Sequence, residues 1–142
     1  LARRRRDPYF RGRPPKSTGR ERFGPDYVKA RPSADAIATL TLFTARTIAG
    51  AIRRFSPKFP SEVIVSGGGA LNPILMAHLA WLLSPAPVVS SEAFGMPVLA
   101  KECAAFALLA VRAIQGLPNT VPSATGARHA VVAGKIIPGG RR

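Results

Sequence analysis

The sequence contains few residues of the kinds that form disulfides, metal sites and acid–base centres. Of its 142 residues, one is cysteine, two are histidine and seven are aspartate or glutamate. The single cysteine, Cys103, excludes an internal disulfide and a cysteine-rich metal site, and its apolar neighbours predict a small buried residue. His78 and His129 have no partners at metal-ligand spacing, and His78 is expected to pack within a helix. No Ser/His/Asp arrangement is visible.

Long apolar runs are also missing. No run reaches about 18 residues without a polar interruption, so no membrane span is expected. The first residues, LARRRR, lack both the apolar core of a signal peptide and an initiator methionine. The chain is therefore expected to be a piece of something longer.

Positive charge is abundant instead. The formal net charge is +14, and residues 1–31 hold eleven Lys and Arg against three Asp and Glu. Such a basic segment, with the arginine run at residues 3–6, is typical of nucleic-acid binding, although an irregular solvated loop is the plainer interpretation. Residues 16–20, KSTGR, could grip an anion or form a hydrogen-bonded loop. We expect a Pro/Gly-rich loop segment over 1–31 and an α/β region over 32–142.

The stretch SEVIVSGGGALNPILMAHLAWLL, residues 61–83, reads as a strand, a glycine turn and a helix. Glycines 67–69 permit positive φ and close approach of a ligand. Asn72 is placed to cap the helix, Pro73 suits its first turn, and leucines at helical spacing predict a core face. Those leucines are Leu75, Leu79 and Leu82. Such a turn suits a phosphate or nucleotide, but it is also compatible with a tight turn that binds nothing.

The remaining segments alternate in the same way. Ser33 is expected to cap a helix ending near Phe55, Val88-Val89 is a short strand candidate, residues 99–115 form a helix and residues 130–136 a last strand. Alternating helices and strands predict an α/β layer with a largely parallel sheet. Glu102, near the start of the third helix, either favours the helix end or holds a sugar hydroxyl.

Five stretches, in this order and spacing, resemble the anhydro-N-acetylmuramic acid kinase family. They are DPYFRGRPPKSTGRE (7–21), IVSGGGALNPILM (64–76), EAFGMPVLAKECAAFALLA (92–110), GLPNTVPSATGAR (116–128) and GKIIPG (134–139). The resemblance identifies the chain as the C-terminal half of such a kinase, and the related levoglucosan kinases share much of the pattern.

The resemblance implies the C-terminal lobe of an actin/hexokinase-like sugar kinase, often dimeric and cytoplasmic. Such enzymes use ATP and Mg²⁺ to phosphorylate O6 of 1,6-anhydro-N-acetylmuramic acid while water opens the anhydro bond at C1, giving N-acetylmuramic acid 6-phosphate for cell-wall recycling. It also assigns the candidate residues. Gly67, Gly68, Gly69 and Asn72 match the nucleotide-side turn, and Glu102 and Arg20 match stretches expected near the sugar or an anion.

The departures from the family pattern lead to a further expectation. Glu92-Ala93 stands where the family commonly has Asp-Glu, and Val98-Leu99 where it often has Gly-Asp. The family's phosphate-binding loop and its catalytic aspartate, which takes the proton of the attacking water, have no match among the seven acids. We therefore expect the chain alone to be inactive and to need a missing N-terminal lobe as partner. The competing readings are a basic nucleic-acid-binding protein and a remnant that only dimerises.

Overall fold

The computed structural model describes residues 7–24, 27, 33–137 and 139. The arginine run at residues 3–6 and the predicted boundary after residue 31 lie outside them. The chain forms two compact units. The first contains the residues up to Pro14 together with Thr18–Lys101, and the second contains Pro15–Ser17 and the chain from Glu102 onward.

The first unit contains a strand–helix–strand crossover. Strands β1 (Val63–Val65) and β2 (Val88–Ser90) pair in parallel, with Val63 opposite Val88 and Val65 opposite Ser90. Two further elements join them, a 3-10 helix (Gly68–Leu71) and an α-helix. The parallel pairing confirms the predicted α/β character of this stretch, because parallel neighbours require a crossover of this kind.

Five α-helices lie within the described residues. They are α1 (Arg20–Phe23), α2 (Ala34–Phe55), α3 (Pro73–Leu83), α4 (Lys101–Ile114) and α5 (Pro122–Thr125). The predicted start of α2 is confirmed, since the Ser33 hydroxyl accepts a hydrogen bond from the Ala36 amide at 3.1 Å. Two more 3-10 helices, Pro8–Arg11 and Ser91–Phe94, occupy segments expected to be irregular.

The core of the first unit lies between α2 and α3. Leu75, Leu79 and Leu83 of α3 pack against Ala45 and Ala49 of α2, and all five are at most 9% exposed. The two alanines present little side chain, which lets the helices approach closely. The prediction named Leu82 in place of Leu83; Leu82 is only partly buried, while Leu83 is fully buried.

The aromatic residues of the N-terminal segment are packed against one another. Phe10 stacks on Phe23 with ring centroids 5.2 Å apart, and it meets Phe43 of α2 edge-on at 5.6 Å. Tyr9 and Tyr27 contact Phe23 at 5.4 and 4.9 Å. This cluster attaches the segment to α2 and leaves these rings engaged with each other rather than arrayed as a platform for bases.

Helix α2 is long and apolar enough to cross a membrane by length and composition alone. One such helix is weak evidence for a membrane span, since the core helices of soluble proteins can be equally long and apolar. Here Ala45 and Ala49 are covered by α3. The absence of a membrane partner remains a prediction.

The second unit is built on α4. The helix predicted over residues 99–115 spans Lys101–Ile114. Gly116, with φ +68°, lies just after its end as predicted, and Leu117 N donates to Arg112 O at 2.9 Å. Asn119 then joins the following segment to the helix. Its Nδ2 donates to Leu109 O at 3.1 Å and to Ala133 O at 2.8 Å, while its Oδ1 accepts from Ala133 N at 2.6 Å.

The predicted last strand over residues 130–136 is wrong, because this segment has no strand assignment. Its hydrogen bonds go to Asn119 and Thr120 and include side-chain atoms, as in the bond from Val131 N to Thr120 Oγ1 at 2.9 Å. The side chains of Asn119 and Thr120 therefore make hydrogen bonds to this backbone that a neighbouring strand would otherwise make.

An ion pair attaches α1 to the N-terminal segment and predicts a pH effect. The hydrogen bond from the Tyr9 backbone amide, followed by the contact with Arg22 at 2.6 Å, lowers the pKa of the Asp7 carboxyl. The contact is therefore complete above the ordinary carboxyl pKa and is lost as the pH falls through the lowered pKa.

Asp7→Asn tests this by removing the charge while keeping an oxygen for the Tyr9 amide. In an NMR titration the Tyr9 amide of the unaltered chain should shift with a midpoint below the ordinary aspartate pKa, and the variant should show no such step. A midpoint at or above the ordinary value would show that the two contacts do not favour the ionised form.

Candidate functional site

The glycine turn begins where β1 ends. Gly67 has φ +85° and ψ 178°, a backbone conformation available essentially to glycine alone. Its amide donates to Val98 O at 2.6 Å, which holds the segment between the Ser91–Phe94 3-10 helix and α4 against the turn. Of the three glycines for which positive φ was predicted, Gly67 alone adopts it.

The next two glycines supply unpartnered backbone donors. Gly68 and Gly69 open the 3-10 helix, and among the described residues their N–H groups have no hydrogen-bond acceptor. A Cβ at Gly68 would meet nothing within 4 Å, whereas one at Gly69 would meet Leu75 Cδ2 at 3.3 Å. Gly68 thus faces open space, whereas a side chain at Gly69 would make a tight contact with Leu75 of α3.

Asn72 has a structural task. Its Oδ1 accepts hydrogen bonds from Ile74 N at 3.0 Å and Leu75 N at 3.1 Å, so it caps α3 as predicted. Pro73 follows at the first helical position, where its missing N–H costs nothing. Because Asn72 Oδ1 already accepts these two bonds, a contact with a nucleotide would use the Asn72 side-chain NH2 group.

Ser91 is a polar residue beside the turn that the sequence reasoning missed. It follows β2 directly, and the register that places Val65 opposite Ser90 brings it to the same sheet edge as Ser66 and Gly67. Ser91 is 5% exposed, and among the described residues its hydroxyl has no hydrogen-bond partner. A buried polar atom in this state is usually satisfied by water or a ligand. The burial of Ser91 depends on residues that folding brings together, so the sequence near it gave no signal.

The two residues predicted near the sugar are not brought to this turn by any described contact. Glu102 is exposed in the first turn of α4 and belongs to the second unit. Arg20 begins α1, and its side chain lies outside what the structure describes. Nearby, Gly19 N donates to Glu21 Oε1 at 2.6 Å, so the KSTGRE stretch contains bonds of its own.

Metal-binding and nucleophilic groups are sparse in the described part of the chain. No group of three His, Cys, Asp or Glu side chains there could hold a metal ion. The prediction that Cys103 is buried is wrong, since it is exposed on α4. Its apolar neighbours in α4 are exposed as well, so apolar residues next to Cys103 in the sequence do not bury it here.

An α/β unit with bare amide groups at the carboxyl edge of parallel strands is the arrangement typical of proteins that bind phosphate-bearing ligands. Comparison with known proteins identifies the family within this class. The model of the anhydro-N-acetylmuramic acid kinase family matches residues 1–139, so the chain belongs to that family.

Individual relatives agree. The chain is 46% identical to an anhydro-N-acetylmuramic acid kinase of Gloeobacter violaceus over 94% of this chain, 45% identical to one of a Cyanothece species over 91%, and 46% identical to one of Streptomyces coelicolor over 94%. The same matches cover 37%, 36% and 35% of those relatives, so the chain spans little more than a third of their length.

The prediction that the chain is the C-terminal half of such a kinase is wrong. The family model matches residues 1–139, and the span in the relatives is well short of a half. The kinase family itself is confirmed, while the actin-like lobe stays a prediction.

Proposed function

We propose that this chain supplies the nucleotide-facing part of an ATP-dependent kinase for 1,6-anhydro-N-acetylmuramic acid. Water would add at C1 and open the anhydro bond, O6 would take the γ-phosphoryl group, and the products would be N-acetylmuramic acid 6-phosphate and ADP. The observation that carries the proposal is the pair of unpartnered amides at Gly68 and Gly69, at the carboxyl edge of the β1–β2 sheet in a chain of this family.

The geometry supports phosphate contacts at this turn. The amides of Gly68 and Gly69 are donors whose positions are fixed by Gly67 and by its bond to Val98 O. Preorganised donors stabilise the negative charge of a phosphate without reorganising when the ligand arrives. The Ser91 hydroxyl is a further donor or acceptor that a nucleotide oxygen could satisfy.

Magnesium does not fit a protein site in the described residues, because no carboxylate cluster is present there. We propose that Mg²⁺ reaches the enzyme on the phosphates of ATP. Because none of the seven acids matches the family's catalytic aspartate, the chain by itself is proposed to bind nucleotide without transferring phosphate. We also propose Glu102 and Arg20 as sugar contacts. A cytoplasmic location and a homodimer are proposed as well.

Gly68→Val tests the turn. The substitution puts a branched side chain into open space at a residue without positive φ, so it should block the ligand and leave the fold intact. We expect Mg-ATP affinity, measured by isothermal titration calorimetry, to fall at least about tenfold.

The matched control is Gly50→Ala, a glycine of α2 with equally open surroundings. It should bind Mg-ATP like the unaltered chain. Equal affinity in Gly68→Val and the unaltered chain would remove the turn from the nucleotide site. A coupled assay with 1,6-anhydro-N-acetylmuramic acid and levoglucosan, run with the rest of a family kinase present, would identify the sugar. Salt-dependent binding of DNA without ATP binding would replace the proposal with the nucleic-acid alternative.

A further inference from the structure

Helix α4 is apolar around almost its whole circumference, yet it is uncovered. Between Glu102 and Arg112 every side chain is apolar or cysteine. None of its fourteen residues is buried, and Phe106 and Ile114 are 71% and 73% exposed. A helix that is hydrophobic all round normally lies inside a protein. Exposed apolar surface of this extent marks an interaction site.

One side of the helix forms the wall of a groove. Phe106, Leu109 and Ile114 face the extended residues 133–136 across a cavity of about 650 Å³. Asn119 bridges the two walls through its bonds to Leu109 O and Ala133 O. We refer to this cavity and the exposed α4 side chains that line it as the α4 groove. Its shape is set by hydrogen bonds that are made without any occupant.

Charge argues against a second copy of the chain as the occupant. Lys101, Arg112 and Lys135 lie on or beside α4, with Glu102 as the one acid of the helix. The whole chain carries +14, so two copies meeting here would bring like charges together. A partner with an apolar ridge and acidic flanks would fit better.

The relatives contain a further portion of chain that could be the partner. Because the match covers 37% of the Gloeobacter violaceus kinase, more than three fifths of that protein lies outside it. Helix α3 of the first unit buries Leu75, Leu79 and Leu83 against α2, although it also exposes Ile74 and Trp81. Helix α4, by contrast, buries none of its residues.

We propose that the α4 groove docks the complementary portion of an anhydro-N-acetylmuramic acid kinase, the part of the relatives beyond the region this chain matches, through an apolar ridge flanked by acidic side chains. This rests on the proposed function only for the identity of the partner. The contact itself needs neither ATP nor sugar.

The experiment co-expresses the tagged chain with the non-matching portion of the Gloeobacter violaceus kinase, without added nucleotide. We expect a 1:1 complex by light scattering. Phe106→Glu should lower the amount of partner recovered with the tagged chain, relative to the amount of partner expressed, at least about tenfold. Trp81→Glu, a control on an equally exposed residue (66%) of α3, should change it less than about twofold.

A second pair of variants tests the charge. Lys135→Glu should weaken the complex several-fold and reduce its sensitivity to salt, whereas Lys58→Glu makes the same charge change in the first unit and should not. Far-UV circular dichroism checks that each variant retains its helices. Failure of the unaltered chain to bind, a complex indifferent to Phe106→Glu, or a homodimer that Phe106→Glu dissociates would each overturn the proposal. A groove-dependent complex without Mg-ATP binding would overturn the proposed function alone.

Discussion

Leu79→Ala is expected to lower the free energy of unfolding by about 3–5 kcal/mol. Leu79 is 2% exposed at the centre of the α2–α3 core, between Leu75 and Leu83 and against Ala45 and Ala49. The alanines opposite are too small to fill the space that the substitution leaves, so a cavity remains. A loss of this size is a large share of the stability of a small protein.

Ile74→Ala is the matched control. It removes the same number of carbon atoms from the same helix, but Ile74 is 56% exposed. Its cost should be about 1 kcal/mol or less. Urea unfolding followed through the single tryptophan, Trp81, keeps the reporter in both variants. Equal midpoints for the two variants would mean that the α2–α3 contact is not the core of this unit.

Gly67→Ala is expected to cost about 1–3 kcal/mol, although no atom stands in the way of the new methyl group. A Cβ there would meet nothing within 4 Å. The cost comes entirely from φ +85° and ψ 178°, a conformation that alanine avoids. Relief of that strain would move the Gly67 amide away from Val98 O and disturb the turn.

Gly68→Ala separates backbone strain from side-chain size at the next residue. Gly68 has equally open surroundings and no positive φ, so its substitution should change stability by less than about 0.5 kcal/mol. Thermal unfolding of both variants gives the comparison. If the two alanines cost the same, the turn does not have the geometry described above.

Local patterns were sufficient for β1, the glycine turn, α3 and the start of α2. The β-branched run, three glycines, Asn72 and Pro73 each favour one local conformation, and together they predict β1, the turn and α3 in the right order. The start of α2 followed from Ser33 in the same way. Each of these signals acts within a few residues, where sequence reasoning is strongest.

Predictions that depended on distant partners were less successful. Residues 130–136 have a strand-like composition, but strands need a neighbour, and this segment bonds to Asn119 and Thr120 instead. Cys103 lies among apolar residues, but burial requires something to cover them. Ser91 and the aromatic cluster around Phe10 arise from residues that meet only after folding, so no local pattern identified them.

The small sheet has a consequence for how the molecule can associate. Within the described residues it consists of β1 and β2 alone, so each strand has one outer edge of unpaired backbone groups, and such edges invite aggregation through strand pairing. Each strand is only three residues long. Pro87 directly precedes β2, Pro60 lies three residues before the start of β1, and Glu62 adds a charge beside β1. An edge this short, with proline and charge close by, is a poor template for another strand, which disfavours fibrillar contacts through this sheet.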